Sequence, residues 1–224
     1  MNHRIRLLAG LMLLAGCSRT LPAPVSAGWL PFYADAAFTP HWISPESSRL
    51  ARFHRIPPFR LTNQRAELVT EATVEGKIYV ANFMFTGCSG ICPKTTRNLL
   101  GVQRAFAGDE AVRFLSHSVT PNSDTPETLR AFGDRYNIDH DQWDMVTGTR
   151  AEIYRLGRSA YFADEDLGTT RREGDFLHTE NFILVDDRRY IRGVYNGLNQ
   201  ASVSSLVEDV RALKKEQAQL RASL

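Results

Sequence analysis

Two cysteines, Cys88 and Cys92, stand four positions apart in the run Phe83-Met84-Phe85-Thr86-Gly87-Cys88-Ser89-Gly90-Ile91-Cys92-Pro93, and the only other cysteine in the chain is Cys17. A dithiol of this kind has two chemistries open to it. As thiolates it selects a soft ion such as Cu(I), with an added imidazole supporting Cu(II); oxidised, it closes to a disulfide. Helical i,i+4 side chains sit roughly 5–6 Å apart at Cβ, wider than a relaxed bridge wants, but placement on a loop lets them close. A bridge enclosing three residues adds little stability, because the entropic gain grows with loop length, so the pair reads as functional.

The elements around the pair must hold it at a strand end. Ile78 to Phe85 is a buried-strand pattern, and Thr86-Gly87 and Ser89-Gly90 are turn formers. Pro93 suits the first turn of a helix running through Leu99, Val102 and Phe106. Cys92 is thereby expected at a helix N-terminus, where unpaired N–H groups and the positive dipole end favour a thiolate and lower the thiol pKa.

Further along, a two-strand region runs from about Phe59 to Val74, and the next strand after the cysteine helix is Ala111 to Val119. Asp124-Thr125-Pro126-Glu127 opens a helix carrying Leu129, Phe132 and Tyr136, and Trp143 to Val146 is a strand. Thr149 with Glu152 resembles a capping box for a helix bearing Ile153, Leu156 and Ala160. Asn181 to Val185 and Tyr190 to Tyr195 flank Asp186-Asp187-Arg188-Arg189 as a β-hairpin, and a helix with Val203, Leu206, Val210 and Leu213 closes the chain. This order is that of an α/β, thioredoxin-like sandwich with an added N-terminal β-hairpin.

Six histidines are available to complete a metal site. His3 falls in the leader, His41 and His54 in a proline-rich approach, and His140 beside Asp139 and Asp141, all poor positions. His178 precedes the Asn181 strand, a position that in a thioredoxin-like fold faces the loop after the first central strand. It is the expected third ligand, set against a strand-capping role, and His117 in the Phe114 to Val119 strand is the reserve, set against a histidine satisfied within the fold.

The 224 residues carry a net charge of +2, which suits one domain with appendages and excludes a nucleic-acid binder by charge. Arg4 and Arg6 precede an apolar stretch that ends near Gly16, too short to span a bilayer and laid out as an export signal. Leu14-Ala15-Gly16-Cys17 resembles a bacterial lipobox, so residues 1–17 are expected to be a lipoprotein signal with Cys17 as the lipidated residue, and the domain to face the periplasm from a membrane anchor. Residues 18–54 form a proline- and aromatic-rich tether, part of it packed on the domain; 55–217 are the thioredoxin-like domain and 218–224 a tail.

The chain resembles the Sco (SCO1/SenC) family of copper-binding cytochrome oxidase assembly proteins over about 160 residues. The resemblance rests on Phe85 to Pro93, on Ser118-Val119-Thr120-Pro121-Asn122-Ser123-Asp124-Thr125-Pro126, on Thr147-Gly148-Thr149, and on His178 ahead of Phe182-Ile183-Leu184-Val185-Asp186. It implies copper, as Cu(I) or Cu(II), held by Cys88, Cys92 and His178, with Asp124 as a nearby supporting acid. It also implies delivery to the copper-receiving subunit of a cytochrome oxidase, with a thiol reductant or another copper carrier as a further partner. Ser89 stands where many members have proline, and Thr120 where they usually have aspartate. A thiol–disulfide oxidoreductase acting through a Cys88–Cys92 disulfide is the alternative, although such reductases carry Cys-x-x-Cys. A peroxidase ranks below it, since both cysteines share one loop, and a zinc site would need a fourth ligand to close.

Overall fold

The computed structural model describes residues 28–163, 177 and 179–223. The central strand β3 (Ile78–Met84) is buried at every position, as expected of a strand covered on both faces. It pairs in parallel with β4 (Val112–Ser118), which pairs in parallel with β5 (Trp143–Thr147). The hairpin β1 (Arg60–Asn63) and β2 (Leu68–Thr70) adds antiparallel to β5, and the hairpin β6 (Asn181–Val185) and β7 (Ile191–Asn196) adds antiparallel to β3. The resulting seven-stranded sheet has the order β2-β1-β5-β4-β3-β6-β7.

Alternation along β3 divides the core. Ile78, Val80 and Met84 face α2 (Cys92–Ala105), α3 (Pro126–Tyr136) and α5 (Gln200–Ala222). Tyr79, Ala81 and Phe83 face the other layer, formed by α1 (Glu71–Val74), α4 (Arg150–Arg155) and a π-helical turn, Leu156–Ala160. Thr125 accepts the Thr128 N–H at α3 as expected; at α4 Thr149 accepts the Glu152 N–H, but the Glu152 carboxylate pairs with Arg155 instead of closing the expected capping box. Two boundaries differ from expectation. The helix after the cysteines starts at Cys92, with Pro93 in its first turn, and α5 continues to Ala222, so most of the expected tail is helix.

The proline-rich approach packs as a strap. Phe32, Ile43 and Leu50 are buried with Tyr190 in a third small core, and single bridges join Phe32 to His41 and Tyr33 to Ile191. No helix among the described residues is long and apolar enough to cross a membrane. Cys17 and His178 lie outside the described residues.

Candidate metal and redox centre

The chain leaves β3 at Met84, turns through a Cys88 N–H to Phe85 carbonyl hydrogen bond, and enters α2 at Cys92. Cys88 is half-buried and Cys92 is 6% exposed; both are free thiols, close enough for each to shift the other's proton affinity. Their proton affinities are opposite to what helix position alone suggests. Burial works against a thiolate at Cys88, but hydrogen bonds from the Cys92 thiol and from the N–H groups of Cys92, Gly90 and Ile91 outweigh it and hold the pKa below the ordinary thiol value. At Cys92 burial dominates and pushes the pKa up to about 12; the Phe85 N–H opposes the rise and the neighbouring Cys88 adds to it. The expectation of a thiolate at Cys92 is therefore corrected. The helix N-terminus does stabilise a thiolate, but the loop folds Cys88 over those N–H groups while Cys92 turns into the core.

Asp124 fixes the base of this loop. It is 1% exposed and accepts hydrogen bonds from Thr86 Oγ1 at 2.5 Å, Thr86 N at 3.3 Å, Ser118 Oγ at 2.6 Å and Thr120 Oγ1 at 3.0 Å. One carboxylate thus ties the exit of β3 to the exit of β4. Because Thr125 caps α3, Asp124 is free for this task. Thr120 is thus a donor to Asp124. Sequence reading singled out Asp124 but missed Thr86 and Ser118; a hydroxyl at each of two parallel strand ends, with an aspartate after the second, is the signal that points to them.

Cys88 and Cys92 are brought together, but His117 does not join them. It is fully buried beneath the sheet face opposite the cysteines, stacked on Phe83 at 4.8 Å between ring centroids, with Tyr161 at 5.1 Å. Burial pushes its pKa down to about 4, and its Nε2 has no hydrogen-bond partner among the described residues. The reserve-ligand assignment is corrected: strand alternation turns Phe83 and His117, register partners on β3 and β4, into the second core. Among the described residues no group of three His, Cys, Asp or Glu side chains is placed to hold a metal. Among the other described histidines, His54 Nε2 meets the Ala160 carbonyl and His140 pairs with Gln64 and Asp134.

The residues flanking His178 are informative. Leu177 is buried at Gly157 of the π-helical turn, where a Cβ would collide with the Leu177 side chain and press on Phe83. Thr179 Oγ1 accepts the Asn181 N–H at the start of β6. Antiparallel pairing of β6 with β3 puts that start at the same end of the sheet as the cysteine loop. The donors present, two adjacent thiols of which Cys88 is more acidic than an ordinary thiol, fit a thiophilic monovalent ion or a dithiol–disulfide couple.

Comparison with known proteins bears on the choice. Residues 48–215 match the SCO1/SenC family model. A SCO1 protein homolog from Bacillus subtilis (strain 168) is 28% identical over 161 residues, which cover 71% of this chain and 82% of its own. The structure of BsSco, described as a member of the Sco family of cytochrome c oxidase assembly proteins with a disulfide switch, superposes with a TM-score of 0.62 at 28% identity, covering 72% of this chain and 94% of that one. Bradyrhizobium japonicum ScoI, solved with copper bound, shares the fold with a TM-score of 0.55 at 24% identity, over 70% and 98% of the two chains. The mixed sheet with helices on both faces is the thioredoxin-like fold of these proteins, and the chain belongs to the SCO1/SenC family.

Proposed function

We propose that this protein is a membrane-tethered copper metallochaperone that holds copper through Cys88, Cys92 and His178 and passes it to the copper centre of a cytochrome oxidase during assembly. The observation that carries the reading is the placement of two free thiols, Cys88 half-buried and Cys92 buried, where β3 gives way to α2, in a chain of the SCO1/SenC family. Cys88, the more acidic thiol, takes the ion first; Cys92 then gives up its proton as its sulfur joins, so loading is coupled to proton release. Transfer follows by ligand exchange, with the acceptor's thiolates replacing these ligands in turn. Asp124 holds Thr86 and so the loop that carries Cys88. Lipid on Cys17 would anchor the domain in the cell envelope with the site in the periplasm.

The two adjacent free thiols also favour a second reading, a thiol–disulfide oxidoreductase. Here the Cys88 thiolate attacks one sulfur of a partner disulfide and displaces the other as thiolate. Cys92, losing its proton, attacks Cys88 Sγ, releases the partner's second thiolate and leaves the Cys88–Cys92 disulfide. The partner is reduced by two electrons and this chain is oxidised by two.

Anaerobic copper titration of the full chain in neutral detergent, for the native protein and His178→Ala, separates the readings. The chaperone is expected to bind one equivalent, with a thiolate-to-Cu(II) band that His178→Ala abolishes while the Cys88–Cys92 potential stays nearly unchanged. An undiminished band in the variant removes His178 from the ligand set, and absent copper binding with a readily cycling disulfide selects the oxidoreductase.

A further inference from the structure

Helix α2, which begins at Cys92, breaks two local rules on one face. Its exposed positions include Lys94, Arg97, Gly101 and Arg104, spaced to form a single stripe, and the helix contains no carboxylate. Lys94 sits in the first turn, where the positive dipole end disfavours a cation. Gly101 sits mid-helix, where glycine is less favourable than alanine. Nothing lies within 4 Å of where its Cβ would be, so no internal packing requires it. Departures of this sort from local preference concentrate where a surface has a task.

Beside the stripe runs a groove of about 440 Å³ between α2 and α3, lined by Arg97, Leu100, Arg104, Arg135 and Tyr136. Arg97 lies over the Tyr136 ring at 5.9 Å and Arg135 over the Phe132 ring at 6.0 Å. Among the described residues none of Arg97, Arg104 and Arg135 pairs with a carboxylate; the one ion pair on α3 between its own residues is Arg130 with Asp134. Three guanidinium groups with aromatic and aliphatic walls make a cationic channel, and the open space over Gly101 lets a backbone come close.

We infer that the α2–α3 groove docks an acidic, extended segment of the protein that exchanges copper or disulfides at Cys88 and Cys92. This rests on the function proposed above for its choice of partner, though not for the docking itself. Lys94 to Arg104 spans about 15 Å of helix axis, the length of about five extended residues. Charge complementarity selects Asp and Glu, the groove selects a single chain over a flat surface, and the stripe starts at Lys94, two residues after Cys92 on the same helix. Electrostatic attraction there raises the encounter rate and sets the orientation, which suits a carrier that must release its partner afterwards.

The test uses the full chain in neutral detergent with a fluorescein-labelled hexaglutamate peptide, followed by anisotropy at low and moderate salt. Binding at low salt is expected to weaken at least tenfold in Arg97→Glu/Arg104→Glu, and severalfold in Gly101→Leu, which changes no charge and is expected to leave or raise the melting temperature. Arg49→Glu/Lys215→Glu, with the same change in net charge at exposed positions elsewhere, is expected to bind as the native chain does. Equal weakening by the two double variants, or native binding by Gly101→Leu, overturns the groove. Hydrogen exchange of the chain reconstituted in neutral and in anionic vesicles supplies the remaining arm: protection of residues 94–104 by anionic vesicles, without peptide binding, replaces the protein partner with a membrane surface. Copper titration of the same variants keeps the two proposals apart. Native copper binding with lost peptide binding supports docking as a separate property, whereas absent copper binding in the native chain counts against the chaperone alone.

Discussion

The two ends of the sheet are built in opposite ways. At the end where β7 begins, Arg192 is 1% exposed and its guanidinium bonds Asp186 at 3.1 Å and Glu216 at 2.8 and 2.9 Å. It also donates to the carbonyls of Leu30 and Pro31 and lies over the Phe32 ring at 3.9 Å. Strap, hairpin and C-terminal helix meet on this one cation. At the end where β3 finishes, the cysteine loop is held at its base by Asp124 and within itself by hydrogen bonds to sulfur. Register places Ile191 across from Val185 and Val185 across from Tyr79, so the hub and the loop are separated by most of β3, about 17 Å. The comparison teaches that one end of the sheet is fastened by a buried charge cluster that joins strap, hairpin and C-terminal helix, while the other is tied by a single carboxylate below the loop that carries the two thiols.

The sharpest way to break the contrast is Arg192→Met, which leaves Asp186 and Glu216 buried without their cation. A loss of about 3–5 kcal/mol in unfolding free energy is expected, because removing one partner of a buried ion cluster strands the rest. Burial already raises the Asp186 pKa, against the pull of Arg192. A carboxyl with a raised folded-state pKa binds its proton more readily in the native state, so stability falls as pH rises. The deficit of the variant is therefore expected to be largest near neutrality and to shrink on acidification. Denaturant unfolding across pH measures it, and a loss that is small and independent of pH would show that the cluster contributes little to holding the strap.

Asp124→Ala is the corresponding change at the other end. It removes the acceptor shared by Thr86, Ser118 and Thr120, with an expected loss of about 1–3 kcal/mol for stranded buried donors. The effect is expected to be concentrated locally, as faster hydrogen exchange at Thr86 to Cys88 with little change in the strap. Even loosening of both ends would mean that they are one cooperative unit and the contrast does not hold.

Which parts of this arrangement were legible in the sequence follows from how far apart the cooperating residues lie. The all-apolar run of β3, the Thr125 and Thr149 caps and the β6–β7 hairpin are written in adjacent residues, and their reading agrees with the structure. The Arg192 cluster was not legible, because its partners are 6, 24 and 162 positions away and an arginine in a strand pattern gives no hint of burial. The aromatic content of the approach segment did signal packing, but not against what. At the site, spacing and turn residues identified the cysteines, and Asp124 stood out through its motif. The order of thiol acidities could not be read, since it depends on which sulfur lies over the N–H groups and which enters the core.

That order gives the smallest and most selective test. In the reduced protein near pH 8, iodoacetamide is expected to alkylate Cys88 before Cys92, and Cys92 in the Cys88→Ser variant at least about tenfold more slowly than Cys88 in Cys92→Ser, since the thiolate is the nucleophile. The Cys88 rate should level off below the ordinary thiol pKa, while that of Cys92 should keep climbing toward its value of about 12. The two thiols bear on stability with opposite signs. Cys88, with a lowered folded-state pKa, contributes stability above the unfolded-state value that is lost as pH falls through its folded one. Cys92, with a raised pKa, withdraws stability as pH climbs past the unfolded-state value, because the unfolded chain gives up that proton first. Both the rates and the alkaline loss should persist in Arg192→Met at temperatures where it is folded, if the two ends are independent. Faster modification of Cys92 than of Cys88 would return the nucleophile to the helix terminus itself and undo the account of a loop that lifts one sulfur out while burying the other.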